Sequence, residues 1–460
     1  MNLNNFHNVY FIGIGGIGMS ALARYFHALG KNVSGYDKTS TKLTDSLALE
    51  GIAINFEDSM EVVLHQIVNS DIDKVLVVYT PAVPKGHKQL NYFTDKGFTV
   101  KKRSEVLGEI TRGSFTIAVA GTHGKTTTSC LLAHIFKHSG KDCCAFMGGI
   151  SVNYNSNIIL PTVPGKETIT IVEADEYDRS FLTLHPDIAI ITSMDADHLD
   201  IYGEARFLEE SFNLFAAQIK PNGNIIYRKQ LPLIPPGNAS VETYSVNSEA
   251  DYYADNIRME NESFSFDFIS SAASIKNISF NMPGRHNIEN AVAASAAAIL
   301  AGIEPQQVKI ALESFRGVKR RFEYIVKSEE FVFIDDYAHH PEELKACIAA
   351  VKELYPNKRI TGVFQPHLFS RTNDFADAFA ESLDLLDDCI LLDIYPAREL
   401  PLAGVSSQML LDRMKIQEKK LVQKQDLVTE LKKRKPQVLL TLGAGDIDKL
   451  VEIIGRQLQE

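Results

Sequence analysis

Residues 115–128 read FTIAVAGTHGKTTT, a short β-rich run followed by a glycine pair, a lysine and three threonines that open a helical pattern. A brief apolar run broken by Gly fits a buried strand, and the helix after it presents unpaired backbone N–H groups at the strand's carboxyl end. Anions bind in such a place. Gly121 and Gly124, with Thr122 and His123 between them, allow close backbone approach. Lys125 reaches outer phosphates, Thr126 supplies a hydroxyl for Mg²⁺, and Thr127 continues the cradle. Val119 stands where the strict GxxxxGK[ST] pattern has its first Gly, so the motif departs in letter and keeps its physics. A plain strand–helix turn capped by threonine is the competing reading. It leaves the coincidence of strand, glycine pair and Lys-Thr unexplained.

The same opening occurs twice more, at Val9–Ile14 running into GIGGIGMSALARYFHALG and at Phe331–Ile334 running into DDYAHHPEELKACIAAV. Three such openings in 460 residues predict an α/β chain of three domains, each a mainly parallel sheet flanked by helices. These are a Rossmann-like domain at 1–110, a P-loop ATPase-like domain at 111–318 and a second Rossmann-like domain at 319–460. Gly108–Gly113 and Gly317–Arg321 carry glycine beside charge and read as linkers.

Composition narrows the function. A formal charge of −11 argues against nucleic acid, whose phosphates need clustered Lys and Arg. The dense basic run Lys432–Lys435 reads as a solvated helix end. No apolar run approaches a membrane span, and MNLNNFHNVYFIGIGG lacks a signal peptide's basic start and cleavage site. Five cysteines without CxxC spacing indicate neither disulfides nor a zinc knuckle, which fits the reduced cytoplasm.

Gly13-Ile14-Gly15-Gly16-Ile17-Gly18 matches GxGxxG, and Asp37 follows at the end of a second strand. Alone this reads as NAD binding by an oxidoreductase. The motif specifies only a diphosphate on a helix N-terminus with an acid near a ribose, so UDP fits as well. A second, hydrolytic-style nucleotide loop in the same chain favours a sugar nucleotide. Beyond the phosphate loop, Thr168–Val172 ends in EADE and Ile188–Ile191 leads to DADHLD. Glu173 and His198 at adjacent strand ends, with Thr126, are the candidate Mg²⁺ ligands. Acids at helix starts for dipole reasons are the bland alternative.

In the last third, DDYAHHP, QPHLFSR, YPAR (Tyr395–Arg398) and GAGD all follow predicted strands and open on one sheet edge. Their histidines and aspartates could suggest zinc. Pro341 with Glu342-Glu343 makes the first loop a helix start, and nearby arginines repel a dication, so anion handling is the better reading.

Taken in order, GIGGIGMS, AGTHGKTTT, EADE, DADHLD, GRHNIENAVAA, KRRFE, DDYAHHP, QPHLFSR and LGAGD resemble the Mur ligases of bacterial cell-wall synthesis over essentially the whole chain. The resemblance implies an N-terminal domain holding a UDP-sugar, a central ATPase and a C-terminal domain that closes over ATP and brings an amino acid. GIGGIGMS and DYAHHP are most similar to the branch that joins L-alanine to the lactyl carboxylate of UDP-N-acetylmuramate in peptidoglycan synthesis. By that resemblance Gly15, Gly16, Gly18, Met19 and Ser20 lie at the sugar-nucleotide diphosphate and Asp37 near uridine. Lys125, Thr126, Glu173 and His198 serve phosphates and Mg²⁺. Asn287 faces adenine, Asp336 the ribose, and Arg321 and Tyr337 complete the ATP site. Lys125, His339 and Arg371 are the implied catalytic set, with Arg371 on the amino-acid carboxylate and His339 near the amine. His367 stands beside them. Several siblings carry a carbamylated lysine 14 or 15 residues after the DH histidine, where this chain has Phe212 and Asn213. A family member that recycles a tripeptide and a non-catalytic nucleotide sensor are the remaining alternatives. Oligomeric state is not legible.

Overall fold

The computed structural model describes residues 1–163, 168–197, 199–237, 239–246, 248–260, 262–397 and 399–459, with 66, 199, 200 and 260 described by backbone alone. His198 and Arg398 lie outside the described residues.

The first sheet comprises β1 (Asn8–Ile12), β2 (Asn32–Tyr36), β3 (Ala53–Asn55), β4 (Val75–Tyr79) and β5 (Thr99–Lys102), all parallel in the order β3-β2-β1-β4-β5. Every residue of β1 is buried, as a sheet covered on both faces requires. Strand order reverses at β1, which opens a crevice beyond its carboxyl end for the glycine loop.

In the second sheet β6 (Thr116–Ala120), β7 (Cys143–Ser151), β8 (Ser156–Ile159), β9 (Ile169–Glu173), β10 (Ile188–Ile191), β11 (Asn224–Arg228) and β12 (Ser240–Ser245) run β12-β11-β10-β6-β9-β7-β8. Only β7 and β8 pair antiparallel in this stretch. β6 lies between two later strands, so its carboxyl end is the switch point, and GTHGKTTT occupies it. Next come β13 (Tyr252–Glu260), β14 (Ser263–Ser270) and β15 (Ser274–Phe280).

The third sheet contains β16 (Glu323–Lys327), β17 (Val332–Asp336), β18 (Ile360–Phe364), β19 (Asp388–Leu391), β20 (Lys419–Leu421) and β21 (Val438–Leu442), ordered β16-β17-β21-β18-β19-β20. It is parallel apart from β16 against β17. The chain divides into two compact units. One holds Met1–Tyr253, Ser270–Ser274 and Asn290–Leu312; the other holds Ala254–Ile269, Ile275–Glu289 and Glu313–Glu460.

Inside the first unit one apolar core runs from Phe11 of β1 and Phe26 of helix Ile17–Ala28 to Phe146 of β7, Phe181, and Phe212 and Phe215 of helix Ala205–Ala216. This explains a difference from the sequence reading. Gly108–Gly113 is no free linker: helix Arg103–Arg112 runs through it and Gly113 is its C-cap. A Cβ on Gly108 would lie 2.6 Å from the Thr183 carbonyl oxygen, so glycine there permits close contact with the 3-10 segment Tyr177–Thr183. The basic run behaves as read, closing helix Leu427–Arg434 with Lys432 and Lys433 exposed. All five cysteines are buried and unbridged. Among the described residues no helix is long and apolar enough to cross a membrane.

Helix Lys125–His138 is buried along most of its length, and it includes His134 at 3% exposure. Burial, with neighbouring His138, lowers the His134 imidazole to about 4, while its Nδ1 lies 2.8 Å from the Tyr154 hydroxyl. A histidine depressed in the folded state is neutral there but takes a proton when unfolded below about 6.5, so acidification favours unfolding. Between neutral pH and about pH 5 this group removes about 2 kcal/mol of stability. Urea midpoints at the two pH values should differ less in His134→Gln than in the parent chain. An equal difference rules His134 out as the source.

Candidate active site

Two glycines make the phosphate loop possible. Gly121 has φ +138° and Gly124, the N-cap of helix Lys125–His138, has φ +82°, both in territory that favours glycine. The loop is braced from β10's carboxyl end: the Thr122 and Ser193 hydroxyls lie 2.8 Å apart, and the His123 N–H donates to Ser193 Oγ at 2.7 Å. The His123 ring faces Asp195 at 3.7 Å. Thr127 is buried.

Lys125 folds back over this loop. Its ammonium donates to the Gly121 carbonyl at 2.6 Å and reaches the two Glu176 oxygens at 2.9 and 2.7 Å. Burial works against the ammonium, but Glu176, Asp175 and Glu173 outweigh it and raise its pKa above the ordinary value. Burial pushes the Glu176 carboxyl up to about 7 against the pull of Lys125. A cation poised on the loop with one displaceable anion is what an incoming phosphate needs. Beside it the Thr126 hydroxyl donates to Glu173 Oε1 at 3.1 Å, and the other Glu173 oxygen accepts the Gly148 N–H at 3.0 Å. Two hard oxygen donors at the mouth of a phosphate loop suit Mg²⁺. Glu176, Ser193 and Asn290, whose amide oxygen would lie 2.6 Å from a Cβ on Gly124, escaped the sequence reading. The EADE run signalled acids there without saying which one faces Lys125.

At the N-terminal loop, the Gly15 N–H donates to Asp37 Oδ2 at 2.7 Å and the Thr39 N–H to Oδ1 at 3.2 Å. Asp37 thus anchors the glycine loop itself. Gly16 caps helix Ile17–Ala28. Met19 and Ser20 are buried, with Ser20 Oγ donating to the Ile17 carbonyl and accepting from Asn157 Nδ2 at 2.9 Å each. The Ser20 N–H is held by the Gly16 carbonyl at 2.9 Å, so of this pair only Met19 has its backbone N–H in the first helical turn, where an anion would be met.

In the second unit Asp336 is largely occupied by backbone: its oxygens accept the Phe322 N–H at 2.7 Å and the Ala338 N–H at 2.8 Å. Burial pushes its carboxyl up to about 6, opposed by Arg321 and those N–H groups. Asn287 is buried and donates to the Pro283 carbonyl at 2.6 Å. Arg320 and Arg321 each place a guanidinium 5.1 Å from the Tyr337 ring centre. From Tyr337 a row of rings continues through His339 at 5.2 Å, His367 at 6.1 Å and Tyr395 at 5.8 Å. His339 Nδ1 sits 3.2 Å from Glu343, His340 caps helix Pro341–Leu354, and Arg371 is buried. The four loops do share one edge, and Leu368 at φ +68° marks strain beside it.

A cavity of about 520 Å³ lined by Arg112, His185 and Lys220 lies at the opposite, amino ends of β6 and β10. Its Arg112 and Lys220 are paired with Glu109 and Asp187.

Residues 8–115 match the Mur ligase family catalytic domain, 119–298 the Mur ligase middle domain and 320–445 the Mur ligase glutamate ligase domain. The chain belongs to the Mur ligase family. The UDP-N-acetylmuramate--L-alanine ligase of Flavobacterium psychrophilum is 52% identical over 460 residues, covering 100% of both chains. The UDP-N-acetylmuramate-alanine ligase MurC of Thermotoga maritima superposes with a TM-score of 0.81 at 26% identity, over 98% of this chain and 99% of that one. A murein peptide ligase of Psychrobacter arcticus shares the Mur ligase fold at a TM-score of 0.73 and 24% identity, over 98% of each chain. Where several Mur ligases carry the modified lysine, Phe212 is buried 5.3 Å from Phe181 and Asn213 accepts the Ile234 N–H. Neither supplies a metal ligand of that kind.

Proposed function

We infer that this Mur ligase joins L-alanine to the lactyl carboxylate of UDP-N-acetylmuramate at the expense of ATP, in peptidoglycan precursor synthesis. The observation that carries this is full-length identity of 52% to a ligase of that name. The central phosphate loop is consistent with it.

A carboxylate resists amine attack because its oxygen leaves poorly. A lactyl carboxylate oxygen takes the γ-phosphoryl group from ATP with release of ADP and so becomes part of a phosphate leaving group; the amine of L-alanine then attacks the acyl carbon, losing a proton as phosphate departs and the amide forms. Gly121, Thr122, His123, Gly124, Thr126 and Thr127 would cradle the phosphates, and Lys125 would offset charge as the phosphoryl group moves. Thr126 and Glu173, with His198, would hold Mg²⁺, which neutralises phosphate charge when bound. Asn287, Arg321, Asp336 and Tyr337 would contact the rest of ATP. Gly15, Gly16, Gly18, Met19, Ser20 and Asp37 would form the sugar-nucleotide site. Arg371 would take the alanine carboxylate, a planar anion that suits a forked guanidinium. His339, already beside Glu343, would orient or deprotonate the amine. The division 1–110, 111–318 and 319–460 would separate these three tasks. Charged nucleotide substrates and five buried cysteines without a disulfide support a cytoplasmic location.

Mass analysis of the product distinguishes the acceptors. With L-alanine and the murein tripeptide supplied together, the adduct should gain one alanyl residue. A tripeptide adduct as the main product assigns the chain to the recycling branch instead.

A further inference from the structure

Arg24 of the glycine-loop helix Ile17–Ala28 and Arg103 beside its first turn differ in how their donors are used. Arg24 is saturated: its guanidinium donates to both Glu50 oxygens, to Ser46 Oγ and to Asn157 Oδ1 at 2.6–3.1 Å. This is a structural arginine. Arg103 opens helix Arg103–Arg112 directly after β5, at the carboxyl edge that also carries the glycine loop. Of its five N–H donors, one reaches Asp175 Oδ2 at 3.4 Å, and among the described residues it has no other polar partner.

Its position is close to the loop. A Cβ on Gly18 would fall 2.7 Å from Arg103 Nη1 and 3.0 Å from its Cδ, so the guanidinium stem lies against the first turn of helix Ile17–Ala28. There the helix offers unpaired N–H groups and the positive end of its dipole. Asp37, the acid nearest the loop, is engaged by the Gly15 and Thr39 N–H groups. Positive charge therefore accumulates at one place, with a single long contact to a partly exposed carboxylate as its balance.

We propose that Arg103 is a further substrate-binding residue, gripping the diphosphate of the sugar nucleotide and exchanging Asp175 for it. The assignment rests on the sugar-nucleotide reading above. It also accounts for Gly18, the last glycine of GIGGIG, which leaves room for the guanidinium as well as for helix packing. Asp175 lies on the segment that carries Glu173 and Glu176, so the exchange takes place next to the phosphate loop.

The test is calorimetric binding of UDP, of UDP-N-acetylmuramate and of a non-hydrolysable ATP analogue to the full chain and to Arg103→Ala, Arg103→Lys, Gly18→Ala and Asp175→Asn. Arg103→Ala should weaken UDP and UDP-N-acetylmuramate alike by at least tenfold and the ATP analogue by less than threefold. Arg103→Lys should recover part of the loss, because an ammonium keeps the charge without the fork. Gly18→Ala should weaken UDP by displacing the guanidinium, and Asp175→Asn should leave UDP affinity equal or tighter. Equal losses in Arg103→Ala and Asp175→Asn would mean that only the ion pair matters and would overturn the proposal. So would a loss confined to UDP-N-acetylmuramate, which places Arg103 at the lactyl carboxylate. Should Arg103→Ala not fold, Arg103→Lys with unchanged UDP affinity is equally contrary. Failure of the parent chain to bind UDP or UDP-N-acetylmuramate overturns the underlying substrate reading, and Arg103 with it.

Discussion

Lys125→Ala should lower ATP turnover by about a thousandfold or more, the scale on which a single preorganised charge acts on a transferring phosphoryl group. The geometry explains why nothing substitutes for it. The ammonium is tied at 2.6 Å to the Gly121 carbonyl and faces Glu176, so it sits where outer phosphates must come. Removing it also leaves Glu176, at 1% exposure, without its cation. Since burial already pushes that carboxyl up to about 7, it is poised to take a proton in the variant. The double variant Lys125→Ala with Glu176→Gln separates the effects: it should regain most of the lost thermal midpoint and none of the turnover. Turnover within tenfold of the parent chain would contradict the phosphate-loop assignment.

Gly121→Ala should be the most damaging single-methyl change. A Cβ there would lie 2.0 Å from Thr192 Oγ1 and 2.8 Å from the Ser193 backbone nitrogen, on a residue with φ +138°. Strain and overlap together cost about 3 kcal/mol. The Thr192 hydroxyl cannot simply turn away, because it donates to the Ala120 carbonyl at 3.1 Å and also to that of His123. Relief must displace the loop. Gly140→Ala is the matched control: φ is +77° and nothing lies within 4 Å of the new Cβ, so only backbone strain of about 1 kcal/mol applies. Denaturation midpoints and ADP binding should therefore fall sharply for the first and slightly for the second. Similar behaviour of the two would show that the β10 contact does not constrain the loop.

How much of this was legible in sequence follows from the range of each interaction. The phosphate loop was legible because its strand, glycines and lysine are adjacent, and local backbone rules suffice. The three sheets were legible from recurring strand–loop–helix openings, although the observed strand ends shift by one or two residues. Glu176 was not, because a buried ion pair 51 residues apart depends on where β9 places the segment after it. Nor was Arg103, which looks like an ordinary helix-opening charge until β5 sets it beside Gly18. Gly108 was misread because glycine beside charge describes both a linker and a close helix contact. Asp336 is a ribose ligand by resemblance; that its oxygens also brace the Phe322 and Ala338 backbone was not legible. A carboxylate's type says nothing about which N–H groups reach it first.

The most direct measurement is phosphate release by the purified chain with ATP, Mg²⁺ and UDP-N-acetylmuramate, each candidate amino acid being added in turn. The account predicts release that depends on L-alanine, with one ADP and one alanyl product formed per phosphate. Release that ignores L-alanine, or none with all three substrates present, would contradict it.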